Sequence, residues 1–344
     1  MTQPIRPEIL FLPQEDVIAA GALNMAAALP EIEQVFVMDG RGQTIQPDKT
    51  VLEFPDADTG QRRYLAVSMP AHLGTPVNRT GIKWAAESMD NARRGDLPYG
   101  IDLIILHDLE RACPVALMDG TLITAIRTGA AAGVAAKHLA RSDARVAGFI
   151  GAGVIGRTAL EAVALALPGL QEFRLFDLNR DKALALADDM QNRRPVTVVD
   201  SAQAAVSGAD VVVTMTTTRR PFIQAGWLKS GCFVAAIGKN EVEGKALLEA
   251  DALVVDKWSQ FKQYQPALLT QLYQQGQIDE TQISNLSEIL TGQKSGRTDD
   301  QQRIHFLSFG FAGQDLIIAE RVYQNAKKQG LGQTLKLWNQ PLWL

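Results

Sequence analysis

Residues 145–160 read RVAGFIGAGVIGRTAL. A continuous apolar run breaks at three glycines, and an apolar pattern at helical spacing resumes directly afterwards. Strands buried on both faces of a parallel sheet have such uninterrupted runs. Gly151, Gly153 and Gly156 fall in GxGxxG spacing. The first permits a tight turn, and the second lets a pyrophosphate approach N–H groups at the helix N-terminus. The third lets helix and strand pack closely. Val154 and Ile155 stand at that N-terminus. Alone, the pattern also describes a plain glycine-rich connection; its place between a strand and a helix marks a dinucleotide turn. Asp177 closes the next strand, in FRLFDLNRDKA, 26 residues after Gly151. That is where an acid accepts hydrogen bonds from the adenosine ribose. A carboxylate there favours NAD and repels the 2′-phosphate of NADP. Arg180 would reverse that choice, unless it is a surface residue at a helix start.

From 145 to 256 strand and helix patterns alternate: RVAGFI, a helix over 155–167, EFRLFD, RDKALALADDM, VTVVD, SAQAAVSG, ADVVVTMT, CFVAAIG and ALVVD. This order predicts right-handed βαβ units and a parallel sheet. The first 120 residues differ. EQVFVMD, KTVLEF, RRYLAVSMP, TGIKWAAES and IDLIILHD are strand-like and divided by turn residues, as in an antiparallel α+β region. GTLITAIRTGAAAGVAAKHLA then predicts a long helix, and IHFLSF and QDLIIAERVYQNAKKQ a closing strand and helix. The expected fold class is α/β, with a Rossmann domain over 131–307 inserted into an α+β substrate and dimerisation domain. That second domain is built from 1–130 and from 308–344.

Composition narrows the function classes. The 344 residues carry a formal net charge of −4, which disfavours nucleic acid or an anionic membrane as partner. Two distant cysteines, Cys113 and Cys232, suggest neither a disulfide framework nor a zinc site. The four histidines are scattered, so no protein-bound metal is expected. Neither a signal peptide nor a membrane-length apolar run is found, and a cytoplasmic location is expected.

Several segments together resemble the ornithine cyclodeaminase/μ-crystallin family. They are TGIKWAAESMDNARRGDLPYGIDLIILHD, ALMDGTLITAIRTGAAAGVAA, ADVVVTMTTTRRPFI and LSEILTGQKSGRTDD…IHFLSFGFAGQDL. The resemblance covers most of residues 45–325. It implies an NAD(P)-dependent oxidoreductase that moves a hydride to or from the α-carbon of an amino or imino acid, and a homodimer formed through the N-terminal sheets. Ornithine cyclisation to proline plus ammonia is the best single activity it suggests. Ketimine reduction, or opine-like cleavage of an aminocarboxyethyl-glutamate in diaminopropionate synthesis, is the alternative. A non-catalytic nicotinamide-binding protein of μ-crystallin type is a reading of another class.

The same resemblance assigns residues. Arg127 matches a carboxylate-binding arginine, suited to bidentate pairing. Lys83 matches a lysine near the carboxylate and the reacting nitrogen; otherwise it is an edge-strand charge. Thr128, Thr214 and Thr216 fall near the cofactor, as does Lys245 unless it merely starts a helix. Two positions depart from the family. Lys49 stands where an arginine is usual, and it offers only a point charge. Asn240 stands where cyclodeaminases place a proton-accepting aspartate, and an amide cannot accept that proton. Glu241 or Glu243 then substitutes, or the chemistry is not ornithine cyclisation. Asp315 is expected to cap the last helix, and Asp119-Gly120 to shape the turn before the long helix.

Overall fold

A computed structural model describes residues 8–56, 62–218, 220–340 and 342. The chain divides into two compact units, one of Met1–Asn24, Gly42–Thr124 and Phe311–Leu344, the other of Met25–Arg41 and Ala125–Gly310.

The first unit is built on a mixed sheet of β1 (Glu8–Leu12), β2 (Thr44–Ile45), β3 (Thr50–Pro55), β4 (Arg62–Leu73), β5 (Arg79–Ser88), β6 (Gly100–His107), β7 (Pro114–Asp119) and β16 (Gln333–Lys336). The order is β16-β1-β7-β6-β5-β4-β2, with β3 also paired to β4; only β1 and β7 run parallel. Helices α1 (Gln14–Ala19) and α3 (Met89–Arg94) are short, and α12 (Ala312–Gln329) packs on β4, β5 and β6. Alternation along β6 decides its faces: Asp102, Ile104 and Leu106 are buried, whereas Ile101 and Leu103 are exposed. Gly81 lets α12 approach β5, because a Cβ there would lie 2.9 Å from Leu316 Cδ2. Arg79 and Glu320 join β5 to α12 through two hydrogen bonds of 2.6 and 3.1 Å.

The second unit contains α2 (Met25–Gly40), the part of α4 (Thr121–Leu139) from Ala125 onward, and an all-parallel sheet. Its strands are β8 (Val146–Ile150), β9 (Glu172–Phe176), β10 (Thr197–Val198), β11 (Val211–Thr214), β12 (Phe233–Ala236), β13 (Ala252–Val255), β14 (Ile283–Asn285) and β15 (Ile304–Leu307). The connecting helices are α5 (Val154–Ala166), α6 (Arg180–Met190), α7 (Ala202–Val206), α8 (Gly244–Leu248), α9 (Trp258–Gln263), α10 (Leu268–Gln274) and α11 (Leu286–Leu290). The order β10-β9-β8-β11-β12-β15-β13-β14 reverses direction between β8 and β11. A parallel sheet binds ligands at such a switch point, outside the strands' carboxyl ends. The Ala-rich α4 packs closely on α5: a Cβ at Gly129 would lie 2.6 Å from Thr158 Oγ1, whose hydroxyl donates to the Ala125 carbonyl at 2.7 Å.

Two expectations are corrected. EQVFVMD is not a strand but the second half of α2, whose buried Met25, Ala28, Ile32, Val35 and Phe36 recur at helical spacing. Seven residues were too short a window to reveal a period that starts at Met25. The boundaries also differ from 1–130 and 131–307. Residues 25–41 join the second unit because α2 buries its apolar stripe against α5 and α11. Among the described residues, no helix is long and apolar enough to cross a membrane.

Candidate active site

A cleft of about 750 Å³ opens at the carboxyl end of the parallel sheet, lined by Gly151, Gly153, Asp177, Lys182, Thr216 and Trp227 among others. Gly151 adopts φ +110, and a Cβ there would meet the Met215 carbonyl at 2.6 Å. A Cβ at Gly153 would meet nothing within 4 Å, so the backbone at the α5 N-terminus is open to a ligand. At Gly156 a Cβ would collide with the Gly151 carbonyl, so helix and turn touch there. These environments suit a pyrophosphate on the first turn of α5. Val154, 59% exposed, and the half-buried Ile155 begin that turn. The Asp177 carboxylate accepts from the N–H of Ala152 at 2.7 Å and of Asn179 at 2.8 Å, which fixes it at the cleft wall. Arg180 pairs with Asp200 at 2.7 Å and is not among the cleft-lining residues.

The loop after β12 holds its polar residues inward. Glu241 is fully buried: the Thr214 hydroxyl and the Gly238 N–H (2.8 Å) donate to Oε2, and the Thr216 N–H donates to Oε1 at 2.5 Å. Burial pushes its carboxyl up to about 7 against the pull of these donors. Its carboxylate therefore ties the loop after β11 to the loop after β12. The expectation that Glu241 accepts a substrate proton does not fit this enclosure, and Thr214, whose buried hydroxyl serves Glu241, does not face the cleft. Asn240 uses both ends of its amide internally, donating to the Pro266 carbonyl and accepting from the Leu268 N–H, each at 2.9 Å. It staples the loop to α10. Glu243 is half-buried just before α8. Lys245 is 76% exposed, 3.7 Å from Glu249.

Arg127 and Thr128 are buried on α4. The Arg127 guanidinium lies against Gly310, at φ +73, where a Cβ would come within 3.0 Å of Cζ. Asp256 shapes that segment: its Oδ2 accepts from the Ser308 hydroxyl at 2.9 Å and from the N–H groups of Phe309 at 2.8 Å and Gly310 at 2.5 Å.

In the first unit, Lys83 is 2% exposed in the middle of the sheet, between β4 and β6, which removes the edge-strand alternative. Its Nζ lies 3.2 Å from both Asp102 Oδ2 and Asp315 Oδ1. Thr124 donates to Asp102 at 2.5 Å. Asp315 does not cap α12, whose N-cap is Phe311 with no side-chain cap; the carboxylate is committed to Lys83 instead. Asp119 does shape its turn, accepting from the Thr121 N–H at 3.3 Å. Lys49 is half-buried just before β3. Asp102 and Asp256 went unnoticed in the sequence. Each carried a signal: an acid in the buried phase of the alternating β6, and an acid directly after the buried run ALVV.

Sheet order, glycine turn and cleft together define an α/β protein of the dinucleotide-binding class. A family model described as "Ornithine cyclodeaminase/mu-crystallin family" matches residues 10–330. The chain is 30% identical to N-((2S)-2-amino-2-carboxyethyl)-L-glutamate dehydrogenase of Staphylococcus aureus and 33% identical to alanine dehydrogenase of Archaeoglobus fulgidus, each over 96% of this chain and 99% of the relative. Its structure is similar to Thermococcus litoralis Delta(1)-pyrroline-2-carboxylate reductase in complex with NADH and L-proline. That match has a TM-score of 0.87 and 30% identity, over 95% of this chain and 100% of the other. The chain belongs to the ornithine cyclodeaminase/mu-crystallin family, and is an NAD(P)-dependent oxidoreductase of that family.

Proposed function

We propose that this protein uses NAD to interconvert an imino acid, or a secondary amine, with its partner oxidation state at the α C–N bond. The observation that carries this reading is the state of the β12–α8 loop. Glu241 is walled in by three donors and Asn240 is stapled to α10, so neither is placed to take a proton from a primary α-amine. Reduction of a preformed imine calls for a proton donor at the nitrogen and not for such a base.

When bound, the nicotinamide would supply the redox chemistry, taking up a hydride as NAD+ and giving one up as NADH. The cradle at Gly151 and Gly153 would hold its pyrophosphate, with Asp177 toward the ribose. Arg127 would clamp the substrate carboxylate by bidentate hydrogen bonds and so fix the α-carbon. Lys83 would serve the nitrogen, held in place by Asp102 and Asp315, each 3.2 Å from its Nζ. Ornithine cyclisation is the second reading, and Glu243, half-buried before α8, favours it as the remaining loop carboxylate. Labelled ornithine and Delta(1)-pyrroline-2-carboxylate, offered separately with NAD and NADH, decide between them. Proline formed only from the imine supports the first reading; proline from ornithine supports the second.

A homodimer through the first unit's sheet is part of the proposal. Its outer face exposes Trp84 beside Leu103 in register, with Leu52, Phe54 and Ile101 nearby on the same sheet. An apolar face of this kind marks an interaction surface. The archaeal alanine dehydrogenase, 31% identical with a TM-score of 0.86 over 96% of this chain and all of the other, is described as a dimer with bound NAD.

A further inference from the structure

The buried Glu241 carboxylate is one hydrogen bond from the cofactor cleft. Its Oε1 accepts from the N–H of Thr216, which lines the cleft. Its Oε2 accepts from the Thr214 hydroxyl at the end of β11 and from the Gly238 N–H after β12. In the sheet, β11 and β12 lie on the opposite side of β8 from β9, and Asp177 directly follows β9. A dinucleotide spans such a switch point. With its adenosine ribose at Asp177, its nicotinamide half falls toward β11 and β12, the side on which Glu241 is buried. The nicotinamide ring is positively charged in NAD+ and neutral in NADH, whereas the two phosphates are common to both. A charge in a low-dielectric interior is weakly screened and acts beyond its immediate contacts.

This carboxyl can change its protonation state without breaking the frame around it. The Thr214 hydroxyl rotates, donating to the ionised group and accepting from the protonated one, while the two N–H donors stay in place. Among the described residues, no charged group donates to the carboxylate. The charged residues on the surrounding segments are Lys239, whose ammonium lies over the Tyr264 and Phe309 rings, Glu243 before α8, and Arg220. Arg220 stands two residues before Phe222, whose N–H, with that of Ile223, donates to the Glu241 carbonyl. Burial brings the carboxyl's titration to about 7.

We infer that Glu241 sets which redox form of the cofactor the site prefers: its ionised carboxylate favours NAD+ over NADH, and its protonated form gives up that preference. The inference rests on the seating of the dinucleotide with its adenosine end at Asp177. In this role Glu241 touches neither cofactor nor substrate; it acts through its charge and through the Thr216 loop it holds. Because NAD+ favours the charged form, NAD+ binding releases protons, and its affinity relative to NADH rises with pH.

The test titrates NAD+ and NADH into wild type, Glu241→Gln and Thr214→Val from about pH 5.5 to about pH 8.5, with thermal midpoints as folding controls. In wild type the ratio of NAD+ to NADH affinity should rise about fivefold or more across this range, the lower end of ordinary coupling between sites. Glu241→Gln should hold the ratio at its low-pH value throughout. Thr214→Val removes a donor that favours the ionised carboxylate, so the midpoint of the rise should move to higher pH. Calorimetry of NAD+ binding in buffers of different ionisation enthalpy reads the proton release without any turnover. A pH-independent ratio in wild type overturns the inference, as does a Glu241→Gln variant that retains the rise. Should that variant not fold, an unmoved midpoint in Thr214→Val overturns it equally. Binding of neither form would overturn the dinucleotide seating and this inference together, whereas a constant ratio with both forms bound overturns the inference and leaves the seating intact.

Discussion

Lys83 Nζ on β5 lies 3.2 Å from Asp315 Oδ1 in the first turn of α12, a buried ion pair between residues 232 apart in the chain. Removing one partner of such a pair leaves the other charge uncompensated away from water, at a cost of about 3–5 kcal/mol. Lys83→Met, which removes the cation between Asp102 and Asp315, is therefore expected to lose stability on that scale in urea unfolding, whereas Asp315→Asn keeps Lys83 beside Asp102 and should lose less. Lys83→Met should also lose about 10²-fold or more in kcat, the scale of a proton-transfer group. A Lys83→Met variant with wild-type kcat would remove this lysine from the chemistry.

Gly310→Ala tests the seat of Arg127 without touching the arginine. The new methyl would fall on the guanidinium, and φ +73 is unfavourable for alanine. The expected result is a fall in kcat/KM of about tenfold or more, a loss of roughly 1.4 kcal/mol, with NADH affinity retained. Normal kcat/KM would show that Arg127 need not lie against this glycine.

Cofactor choice should follow Asp177. Wild type is expected to bind NADH at least about tenfold more tightly than NADPH, or about 1.4 kcal/mol, and Asp177→Ser should narrow that gap. Because Arg180 is paired with Asp200 outside the cleft, Arg180→Ala should not alter the ratio. Tighter binding of NADPH by wild type in a direct titration would reverse the assignment.

Two buried groups of the second unit titrate in opposite senses. Glu241 is raised from 4.5 to about 7 by burial, so between those values the folded protein holds a proton that the unfolded chain has lost. Its contribution to stability is complete below pH 4.5 and is lost as pH rises through 7. Burial lowers His305, which has no hydrogen-bond partner at either ring nitrogen, from 6.5 to about 4. Its contribution is complete above pH 6.5 and is lost as pH falls through 4. Each effect is worth about 3 kcal/mol, and between pH 4.5 and 6.5 they cancel. His305→Leu should therefore unmask a stability that falls as pH rises across this window, and Glu241→Gln one that rises. Denaturant midpoints at pH 4.5 and 6.5 read both slopes, and equal slopes in the two variants would contradict the pairing.

The proposed homodimer is tested at Leu103, 44% exposed on the outer face of β6. Leu103→Glu should yield a monomer by light scattering with unchanged far-ultraviolet circular dichroism. An intact dimer would place the interface elsewhere.

Residues 145–256 could be read as a dinucleotide fold from sequence alone because their signals are local. Buried parallel strands such as VAGFI, the glycine spacing and the acid ending β9 each follow from a few neighbouring residues, and they recur as β8, the turn before α5 and Asp177. Arg127 and Lys83 were legible only through a resemblance spread over several segments. Tertiary structure decided what depended on distant partners. Helix α2 could not be assigned to a unit until its stripe met α5 and α11. Glu241 looked like a base in a list of loop carboxylates, but its Thr214, Thr216 and Gly238 donors come from the end of β11 and from the loops after β11 and β12, which only the sheet order brings together. Asp315 looked like a helix cap until α12 was laid across β5 and brought it to Lys83. A side chain's chemical type is written in the sequence; its solvation and its partners, which set whether it reacts, pairs or braces, arise from packing between residues far apart in the chain.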